Sequence, residues 1–460
     1  MIKLFNTLTR SKDEFAPIDK KTAKIYSCGP TVYNTAHIGN LRAYIFVDVL
    51  KKTIEQAGFE VFDVMNSTDV GHLASDADEG EDKIEKAAKS QGITPQDIAQ
   101  MYTEEFLSDS DKLNIRRPKV FAPATKYIDQ MIDFVKELEK RGFTYTIDDG
   151  VYFDSTKFAD YNKLSRMPLD KLRAGFRVEM GIKKHPHDFA VWKFVSDKSL
   201  QKWKSPWSEH GCPGWHIECS AIARHYLGDS FDIHTGGIDH IPIHHTNEIA
   251  QTESLTGKPM SKFWLHNEFV TVDGKKMSKS LGNVYTMRDI EQRGFSPVAY
   301  RYYCMLAHYR SILNFTWEGL EAAQSAYDNL VEQLARHKDA DGVTMEDGSG
   351  VVAELFDDLN TPRAIAHIWQ MLKQPPSHKI YEIIINLDKV LSLDLETRVA
   401  LHNQKQDAEV PNNIWALGDF RKEAKAKKDF VAADKIRQEI EKHGYIITDT
   451  KDGYTIKPKS

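Results

Sequence analysis

The stretch KIYSCGPTVYNTAHIGNLRAYIFVDVLKKTIEQAGFEVFDVM, residues 24–65, carries the strongest structural signal in the chain. Residues 24–28 are short and apolar enough for a buried strand, which Gly29-Pro30 ends. From Ile38 to Ala57 apolar residues recur at helical spacing, and residues 61–65 predict a second strand. Strand, loop, helix and strand form a βαβ unit, which is typical of the start of a doubly wound α/β sheet.

The sequence pattern changes four times along the chain, which predicts five segments. Residues 1–110 and 206–295 alternate strand and helix, so we expect them to form the two halves of a Rossmann-type parallel-sheet domain. Residues 111–205 mix Gly, Lys, Asp and aromatic residues, which favours a connective insertion between these halves. Residues 296–401 predict an α-helical bundle, and residues 402–460 predict a small C-terminal α+β module.

Local patterns add finer expectations. Residues 83–141 indicate mostly amphipathic helix, and the acidic residues 67–82 indicate a solvated loop. The polar residues 402–413 favour a linker, and Arg421 to His443 predicts one basic amphipathic helix. Apolar runs on both sides of residues 451–453 predict a β-hairpin.

Composition limits the class of protein. Hydrophobic residues make up 41% and charged residues 28%, an ordinary globular balance that excludes wholesale disorder. With 61 basic and 67 acidic residues the net charge is -6, so any nucleic acid must be held by local basic patches. Residues 421–460 form such a patch, because eleven basic and seven acidic residues give them a net charge of +4.

The cysteine count and the apolar runs indicate a soluble, cytoplasmic protein. Four cysteines (Cys28, Cys212, Cys219 and Cys304) are too few for a disulfide framework in a chain of 460 residues, which favours reduced thiols. The first residues, MIKLFNTLTRSKDEF, lack the apolar stretch of a signal peptide. No run reaches the roughly 18 apolar residues that a membrane span needs.

The motif TAHIGN, residues 35–40, lies between the first strand and the first helix and suits a phosphate group. Main-chain N–H groups and the positive end of the helix attract an anion there. His37 can donate to developing phosphoryl charge, and Gly39 permits close approach of a nucleotide. Taken alone, this histidine is also compatible with an ordinary polar surface loop.

A second motif, KMSKS at residues 276–280, follows the apolar run 268–272. Lys276 and Lys279 can neutralise a polyphosphate, and the two serines add donors; a basic surface turn is the alternative. Both motifs in this order indicate adenylyl transfer from ATP.

These motifs resemble the HIGH and KMSKS signatures of the class I aminoacyl-tRNA synthetases, with Asn40 in place of the final histidine of the first. An amide can still bind phosphate, although the charge that a histidine supplies is lost. The strings CGPTVY (28–33), GWHIECS (214–220) and HHTNEIA (244–250) are similar to those of the cysteinyl-tRNA synthetase family, over nearly the whole chain.

A metal site is expected from the same strings. His244 and Glu248, four residues apart, lie on one helical face, and with the thiols of Cys28 and Cys219 they suit tetrahedral zinc. The spacing of the cysteines alone also fits two buried structural residues. The resemblance implies that these four side chains hold one Zn²⁺ per chain, which is both structural and substrate-binding.

Two further residues compete as ligands in this part of the sequence. His245 adjoins His244, and we expect it to face elsewhere; Cys212 lies near Cys219 but outside the family pattern. The resemblance further implies that the zinc binds the substrate sulfur. A metal-bound thiol is deprotonated, and a serine hydroxyl cannot repeat that bond, so no editing domain is needed.

The resemblance assigns the remaining site residues one by one. The catalytic groups are His37, Asn40, Lys276 and Lys279. The ATP-binding residues are Gly39, His234, Gly236, Gly237 and Lys279. The cysteine-binding residues are Thr68, Trp215 and Asp239, with core packing as the alternative for Trp215. Thr235 replaces a more usual glycine, and His72 receives no role.

In the C-terminal module, Asp434 and Arg437 are candidates for contact with the tRNA anticodon, and an ordinary surface ion pair fits the same spacing. The function implied by the resemblance is cysteine–tRNA ligation. Cysteine and Mg²⁺-bound ATP form an adenylate, and the cysteinyl group passes to the 3′ end of tRNA(Cys). We expect a monomer without a membrane partner.

Three alternatives remain open at this point. A cysteine:aminosugar ligase shares the catalytic core, but it does not need residues 421–460. A non-catalytic tRNA-binding paralogue is expected to have lost ligands or loop lysines, which this chain keeps. A zinc hydrolase built on His244, His245 and Glu248 lacks the His-Glu-x-x-His order.

Overall fold

Strands and helices alternate in the first two thirds of the chain, and helices dominate the rest. The computed structural model describes residues 1–70, 82–167, 183–450 and 453–458. The strands are β1 Lys3–Asn6, β2 Ser11–Glu14, β3 Thr22–Ser27, β4 Glu60–Ser67, β5 Val120–Pro123, β6 Thr144–Ile147, β7 Gly150–Phe153, β8 Phe189–Phe194, β9 Gly211–Pro213, β10 Phe231–Gly237, β11 Ser261–Asn267, β12 Val270–Val272, β13 Lys275–Lys276, β14 Leu313–Phe315, β15 Tyr445–Thr450 and β16 Gly453–Pro458.

The helices follow the same chain order and account for most of the second half. They are α1 Ile38–Gln56, α2 Lys83–Gln91, α3 Pro95–Lys112, α4 Ile128–Lys140, α5 Ile217–Leu227, α6 His244–Thr256, α7 Met287–Gln292, α8 Pro297–Met305, α9 Trp317–His337, α10 Ser349–Phe356, α11 Thr361–Leu372, α12 His378–Leu391, α13 Leu395–Glu409, α14 Asn412–Ala426 and α15 Phe430–Lys442. None of these helices is long and apolar enough to cross a membrane. The chain divides into two units, residues 1–323 with 352–364 and residues 324–351 with 365–460.

A parallel sheet lies at the centre of the first unit, in the order β11-β10-β3-β4-β5. β3 and β4 pair from Thr22 opposite Glu60 to Ser27 opposite Met65, with α1 between them in the chain. Residues 24–65 therefore form the predicted βαβ unit, and the predicted α/β fold class is confirmed. Ligands of such sheets bind beyond the carboxyl ends of the strands, which is where Cys28, Thr68 and Gly237 lie.

A smaller antiparallel sheet, β6-β7-β8-β9, belongs to the same unit. β7 contains the apolar run 151–153. Its apolar side chains, with Trp192 of β8, join a buried cluster that includes residues of α4 and α5. The last strand, β9, leads directly into the loop before α5, so this sheet supports the segment that carries Cys219.

The region predicted to be mostly amphipathic helix, residues 83–141, contains α2, α3 and α4 and one strand that was not predicted. Strand β5 lies within it and extends the central sheet, with Val64 of β4 opposite Val120. Four residues are too few to show a strand period, so the flanking helical pattern dominated the prediction. β5 also falls inside residues 111–205, whose boundaries stay a prediction. Most of the predicted acidic loop, residues 67–82, lies outside the described residues. His72 also lies outside them.

Two predictions for the second unit are wrong. The expected linker at 402–413 is mostly helical, because α13 runs to Glu409 and α14 starts at Asn412 after Pro411. The single helix expected from Arg421 to His443 is two helices that meet at Lys428, whose φ of 62° is left-handed. Polar sequence is compatible with an exposed helix as well as with a linker, which explains the first error. The terminal hairpin β15–β16 is confirmed.

A charged contact ties the terminal hairpin to α14 and predicts a loss of stability in acid. Arg421 donates to Asp449 at 2.6 and 3.1 Å, and Lys425 donates to it at 2.7 Å. These hydrogen bonds hold the pKa of Asp449 well below its usual range. A lowered carboxyl pKa stabilises the fold above the unfolded-state pKa, and the contribution is lost as pH falls through the folded-state value.

We therefore expect β15 amides to lose protection from hydrogen exchange, relative to amides of the central sheet, as pH falls below about 4. Asp449→Asn produces the same loss already at neutral pH. Because the Asp449 side chain is 46% exposed, we expect only about 1 kcal/mol. Mass-spectrometric exchange measures it, and equal protection in Asp449→Asn and the unmodified chain at neutral pH contradicts this interpretation.

Candidate metal and nucleotide site

Four predicted metal ligands meet at the carboxyl edge of the central sheet. Cys28 directly follows β3, Cys219 lies in the first turn of α5, and His244 and Glu248 lie at the start of α6. One donor atom from each lies within 4.8 Å of every other. Parallel strands bring together residues that are 191 positions apart in the sequence, as Cys28 and Cys219 are.

The donor set fits a tetrahedral metal ion. His244 Nε2 lies 3.1 Å from Glu248 Oε1, and Cys28 Sγ lies 4.0 Å from the same oxygen. Ligand atoms around tetrahedral zinc are about 3.5 Å apart, which these distances bracket. Two sulfurs, one imidazole and one carboxylate are a donor set that zinc accepts.

A bound metal ion would change the charge of this buried cluster. Burial raises the pKa of Cys28 to about 11 and that of Cys219 well above its usual value. Burial alone would also raise the pKa of Glu248, but the adjacent His234 and His244 hold it well below its usual range. A divalent ion would offset the cost of ionising both thiols in this buried place, since it deprotonates the thiols that bind it.

A histidine that the sequence analysis did not single out lies behind His244. His216 Nδ1 is 2.8 Å from His244 Nδ1, which leaves His244 Nε2 directed at Glu248. A metal-bound histidine usually gives its second N–H to such an acceptor. The φ of His216 is 80°, a costly value for a side-chain-bearing residue, so the fold holds this imidazole in place against strain.

His245 does not face away from the cluster, so that expectation is wrong. Its Nε2 lies 3.4 Å from Cys28 Sγ, and its Nδ1 lies 2.8 Å from His266 Nε2. His234 Nε2 lies 2.7 Å from Glu248 Oε2 in the sheet interior. Cys28, His234, His245 and Glu248 thus form a second group of donors within 4.8 Å of one another.

The competing residue Cys212 lies on β9 and belongs to neither of these two donor groups of the described chain. It is buried, with 4% of its surface exposed. The geometry therefore separates the two competing candidates: His245 adjoins the cluster, whereas Cys212 does not.

The predicted amino-acid pocket adjoins the cluster. Thr68 Oγ1 donates to Glu218 Oε1 at 2.6 Å and accepts from Asn66 Nδ2 at 3.3 Å. Burial raises the pKa of Glu218 to about 7. Because its proton is directed at Glu218, the Thr68 hydroxyl keeps one lone pair for a further donor. Glu218 was missed because a carboxylate next to a metal ligand has no pattern of its own.

Trp215 and Asp239 are the other two residues predicted for this pocket. The Trp215 ring stacks on His216 at 5.0 Å and lies 5.7 Å from the His244 ring, so it contacts the core of the site and is only half-buried. Asp239 lies on the short turn Ile238–His240 directly after β10 and is exposed.

The first signature motif forms a reciprocal cap at the start of α1. Asn40 N donates to His37 Nδ1, and His37 N donates to Asn40 Oδ1, both at 3.1 Å. The Asn40 Nδ2 group takes no part in this cap. His37 Nδ1 accepts within the cap, so any donation by the His37 ring is through Nε2. Asparagine therefore completes the cap and still offers an N–H at the positive end of the helix.

The second signature motif contacts the first. A Cβ placed on Gly39 would overlap Met277 Cε, so the two motifs touch through this glycine. Asn283, which the sequence analysis missed, braces the loop: it accepts from Ser278 N at 2.8 Å and donates to Lys276 O at 3.2 Å. Lys276 is exposed, and Lys279 begins the turn Lys279–Leu281.

The structure at the end of β10 explains why a threonine fits at position 235, where the family more often has glycine. Its hydroxyl donates to Ser27 Oγ at 2.9 Å on the neighbouring strand, so the side chain lies inside the sheet. The next residue, Gly236, has no room for a side chain, because a Cβ would lie 2.6 Å from atoms of His240 and His245. Gly237 ends the strand.

In the second unit, the structure does not bring Asp434 and Arg437 into an ion pair. Both are exposed on α15, and Arg437 Nε donates to Glu441 Oε1 at 3.1 Å. The contact with Glu441 therefore gives no support to an ion pair between Asp434 and Arg437.

Comparison with known proteins agrees with this geometry. Residues 14–325 match the family model of the class I (C) tRNA synthetase catalytic domain. The chain is 43% identical to cysteine–tRNA ligase 1 of Burkholderia lata, over 98% of this chain and 96% of that protein. The chain belongs to the cysteine–tRNA ligase family of class I aminoacyl-tRNA synthetases. The resemblance inferred from the motifs is therefore confirmed, and as a member of this family the chain is an enzyme of the ligase class.

Other members of the family and one solved structure are also similar. The cysteine–tRNA ligase of Treponema denticola is 40% identical, over 97% of this chain and 98% of its own. Methionyl-tRNA synthetase of Mycobacterium tuberculosis, solved with methionyl-adenylate, matches with a TM-score of 0.57 and 13% identity, covering 82% of this chain and 91% of that one. At this identity the match supports the shared fold alone.

Proposed function

We propose that this chain activates L-cysteine with ATP and transfers it to the 3′ end of tRNA(Cys), with Zn²⁺ selecting cysteine over serine. The observation that carries the proposal is the convergence of Cys28, Cys219, His244 and Glu248 beside the two contacting signature motifs. The cysteine carboxylate attacks the α-phosphate and pyrophosphate leaves. The terminal ribose hydroxyl then attacks the adenylate carbonyl, and AMP leaves.

The residues of the first motif act on the α-phosphate. The cap places His37 and Asn40 at the start of α1, and the positive end of that helix adds to the attraction of their N–H groups for developing charge. Lys276 and Lys279 neutralise the leaving phosphates, with Mg²⁺ as the ion that accompanies ATP. Gly39, Gly236, Gly237 and His234 are the proposed ATP-binding residues, and His234 lies against Glu248.

The cysteine pocket is built from the same edge. Zn²⁺ held by the four ligands would bind the substrate sulfur as thiolate, a bond that a serine hydroxyl does not make. The remaining lone pair of Thr68 accepts from the substrate ammonium group, and Asp239 adds a negative charge nearby. Trp215 forms an apolar wall over the side chain.

The tRNA is held outside the catalytic sheet. The basic residues of 421–460, with Asp434 and Arg437 on the exposed side of α15, are the proposed anticodon contact. Residues 296–401 are proposed to contact the acceptor stem, and residues 111–205 are proposed as the connective insertion. A monomer in the cytoplasm suffices for this activity.

Charging of labelled cysteine onto total tRNA, with serine as control, tests the proposal. Cysteine-dependent pyrophosphate exchange is measured on the same sample. We expect both reactions with cysteine and neither with serine. Exchange without charging, with tRNA from a matched source, would indicate an aminosugar-type acceptor, and no exchange would leave a non-catalytic paralogue.

The contact between the two motifs gives a further prediction. Gly39→Ala forces Met277 to move, because the new methyl group overlaps its Cε. Met277 Cε is the far end of a flexible side chain and can turn aside, so we expect the rate of adenylate formation to fall by less than about threefold. The double variant Gly39→Ala/Met277→Ala removes the overlap and recovers this loss. A loss of about tenfold or more in Gly39→Ala would contradict this expectation and show that the overlap displaces the loop itself.

A further inference from the structure

A buried arginine outside both signature motifs holds the base of the KMSKS hairpin. Arg42 lies on α1, one turn after the cap, and is only 3% exposed. Its Nη1 donates to Glu268 O at 3.0 Å and Phe269 O at 2.9 Å. Its Nη2 donates to His308 O at 3.0 Å and Ser311 O at 2.7 Å.

The four carbonyls belong to the two segments that lead into one small sheet. Glu268 and Phe269 directly precede β12, which turns into β13 and the KMSKS loop. Ser311 precedes β14, which pairs in parallel with β12 from Val270 opposite Leu313. One guanidinium therefore fixes both of these segments of the sheet β13-β12-β14 relative to α1.

The far end of the loop is tied to the same helix. Ile38 N donates to Tyr285 O at 2.8 Å, and the fully buried Tyr300 Oη donates to Ile38 O at 2.8 Å. Ile38 directly follows His37 of the cap. The hairpin is thus held before its first strand by Arg42 and beyond its loop by the main-chain bond between Ile38 and Tyr285. Tyr300 fixes Ile38, and Met277 contacts Gly39 between these two ties.

We propose that Arg42 and Tyr300 are positioning residues for adenylate formation, which hold the KMSKS hairpin at the distance from α1 where its lysines reach the ATP phosphates. The proposal rests on the proposed function for its chemistry. Neither side chain touches the reacting atoms. Their role is to hold the two motifs in one fixed geometry relative to each other.

The chemistry of the side chain explains why an arginine is required at position 42. Four carbonyls on two segments need four N–H donors in a planar fork, which a guanidinium supplies. A lysine has three donors at one nitrogen and cannot span both pairs. Arg42→Lys therefore keeps the charge but releases one of the two segments, which makes it a specific probe of the tether.

The experiment compares Arg42→Lys and Tyr300→Phe with Arg301→Lys as matched control. Arg301 is the next residue of α8 and is equally buried, but it donates to Asp48 and Leu113 O, away from the hairpin. For each variant we measure kcat and KM of cysteine-dependent pyrophosphate exchange, zinc content, the thermal midpoint, and trypsin cleavage after Lys275 and Lys276 with and without ATP.

We expect Arg42→Lys to lower kcat at least about tenfold, with KM for cysteine within about twofold and zinc content unchanged. Trypsin cleavage of the loop becomes faster, and ATP no longer protects it. Tyr300→Phe, which removes one hydroxyl, gives a smaller change in the same direction and replaces Arg42→Lys if that variant does not fold. Arg301→Lys lowers the thermal midpoint without lowering kcat of the folded enzyme.

A kcat for Arg42→Lys within about twofold of the unmodified chain overturns the proposal, as does an equal loss in Arg301→Lys, which would indicate general destabilisation. If the unmodified chain shows no cysteine-dependent exchange, the proposed function fails instead. Loop cleavage in Arg42→Lys still tests the tether in that case, and unchanged cleavage overturns it.

Discussion

Cys219→Ser is expected to release the metal: the zinc content falls from about one ion per chain to less than about 0.1 after dialysis. Cys219 is 1% exposed and supplies one of only two sulfur donors in the cluster. A serine hydroxyl does not ionise at a zinc ion as a thiol does. Loss of a residue that hydrogen-bonds to a metal ligand typically lowers metal affinity by about 10- to 100-fold. We expect loss of a ligand itself to lower the affinity further.

Cys212→Ser is the matched control for that change, because it removes a buried thiol seven residues earlier that lies in neither donor group of the described chain. It should keep about one zinc per chain and its exchange activity. Elemental analysis and a colorimetric zinc assay measure both variants. Full zinc in Cys219→Ser, or loss of zinc in Cys212→Ser, would show that the four-residue ligand set is wrong.

Lys279→Ala is expected to lower kcat of pyrophosphate exchange by about 100-fold or more while cysteine affinity stays within about twofold. A positive charge that meets the leaving phosphates stabilises the transition state and not the bound amino acid, and removal of one such group typically costs 10²- to 10³-fold. Exchange kinetics give kcat, and calorimetric titration with cysteine in the absence of ATP gives the affinity.

Lys275→Ala is the control for Lys279→Ala, because Lys275 is exposed on β13 and lies just before the signature. It should change kcat by less than about twofold. An unchanged kcat in Lys279→Ala, or a loss confined to cysteine affinity, would remove the second motif from the chemistry.

The sequence was sufficient for the parts of the molecule that repeat a pattern over many residues. The period of α1 between two apolar strands predicted the βαβ unit, and the spacing of His244 and Glu248 placed both on one face of α6. β5 could not be predicted, because four residues show no period within a helical region. The continuation of α13 through the expected linker was missed because an exposed polar helix and a linker have similar composition.

At the site, the sequence predicted which side chains could bind a metal ion, but it did not predict the direction in which each side chain points. His245 was expected to face away, yet packing of α6 against the ends of β10 and β11 turns it toward Cys28 and His266. The sequence shows Arg42 only as a polar residue within an apolar helix. Its role could not be predicted, because its four partners are carbonyls of loops more than 200 residues away. Such contacts depend on tertiary packing and leave no mark in local sequence.

Absorption spectroscopy of the Co²⁺-substituted chain tests whether the metal held by Cys28, Cys219, His244 and Glu248 recognises the substrate sulfur. Cobalt replaces zinc in such sites and reports each bound thiolate by sulfur-to-metal charge-transfer absorption. We expect two protein thiolates without substrate, additional charge-transfer absorption when cysteine is added without ATP, and no change with serine. An unchanged spectrum at saturating cysteine, or an equal change with serine, would contradict metal-based recognition of the substrate.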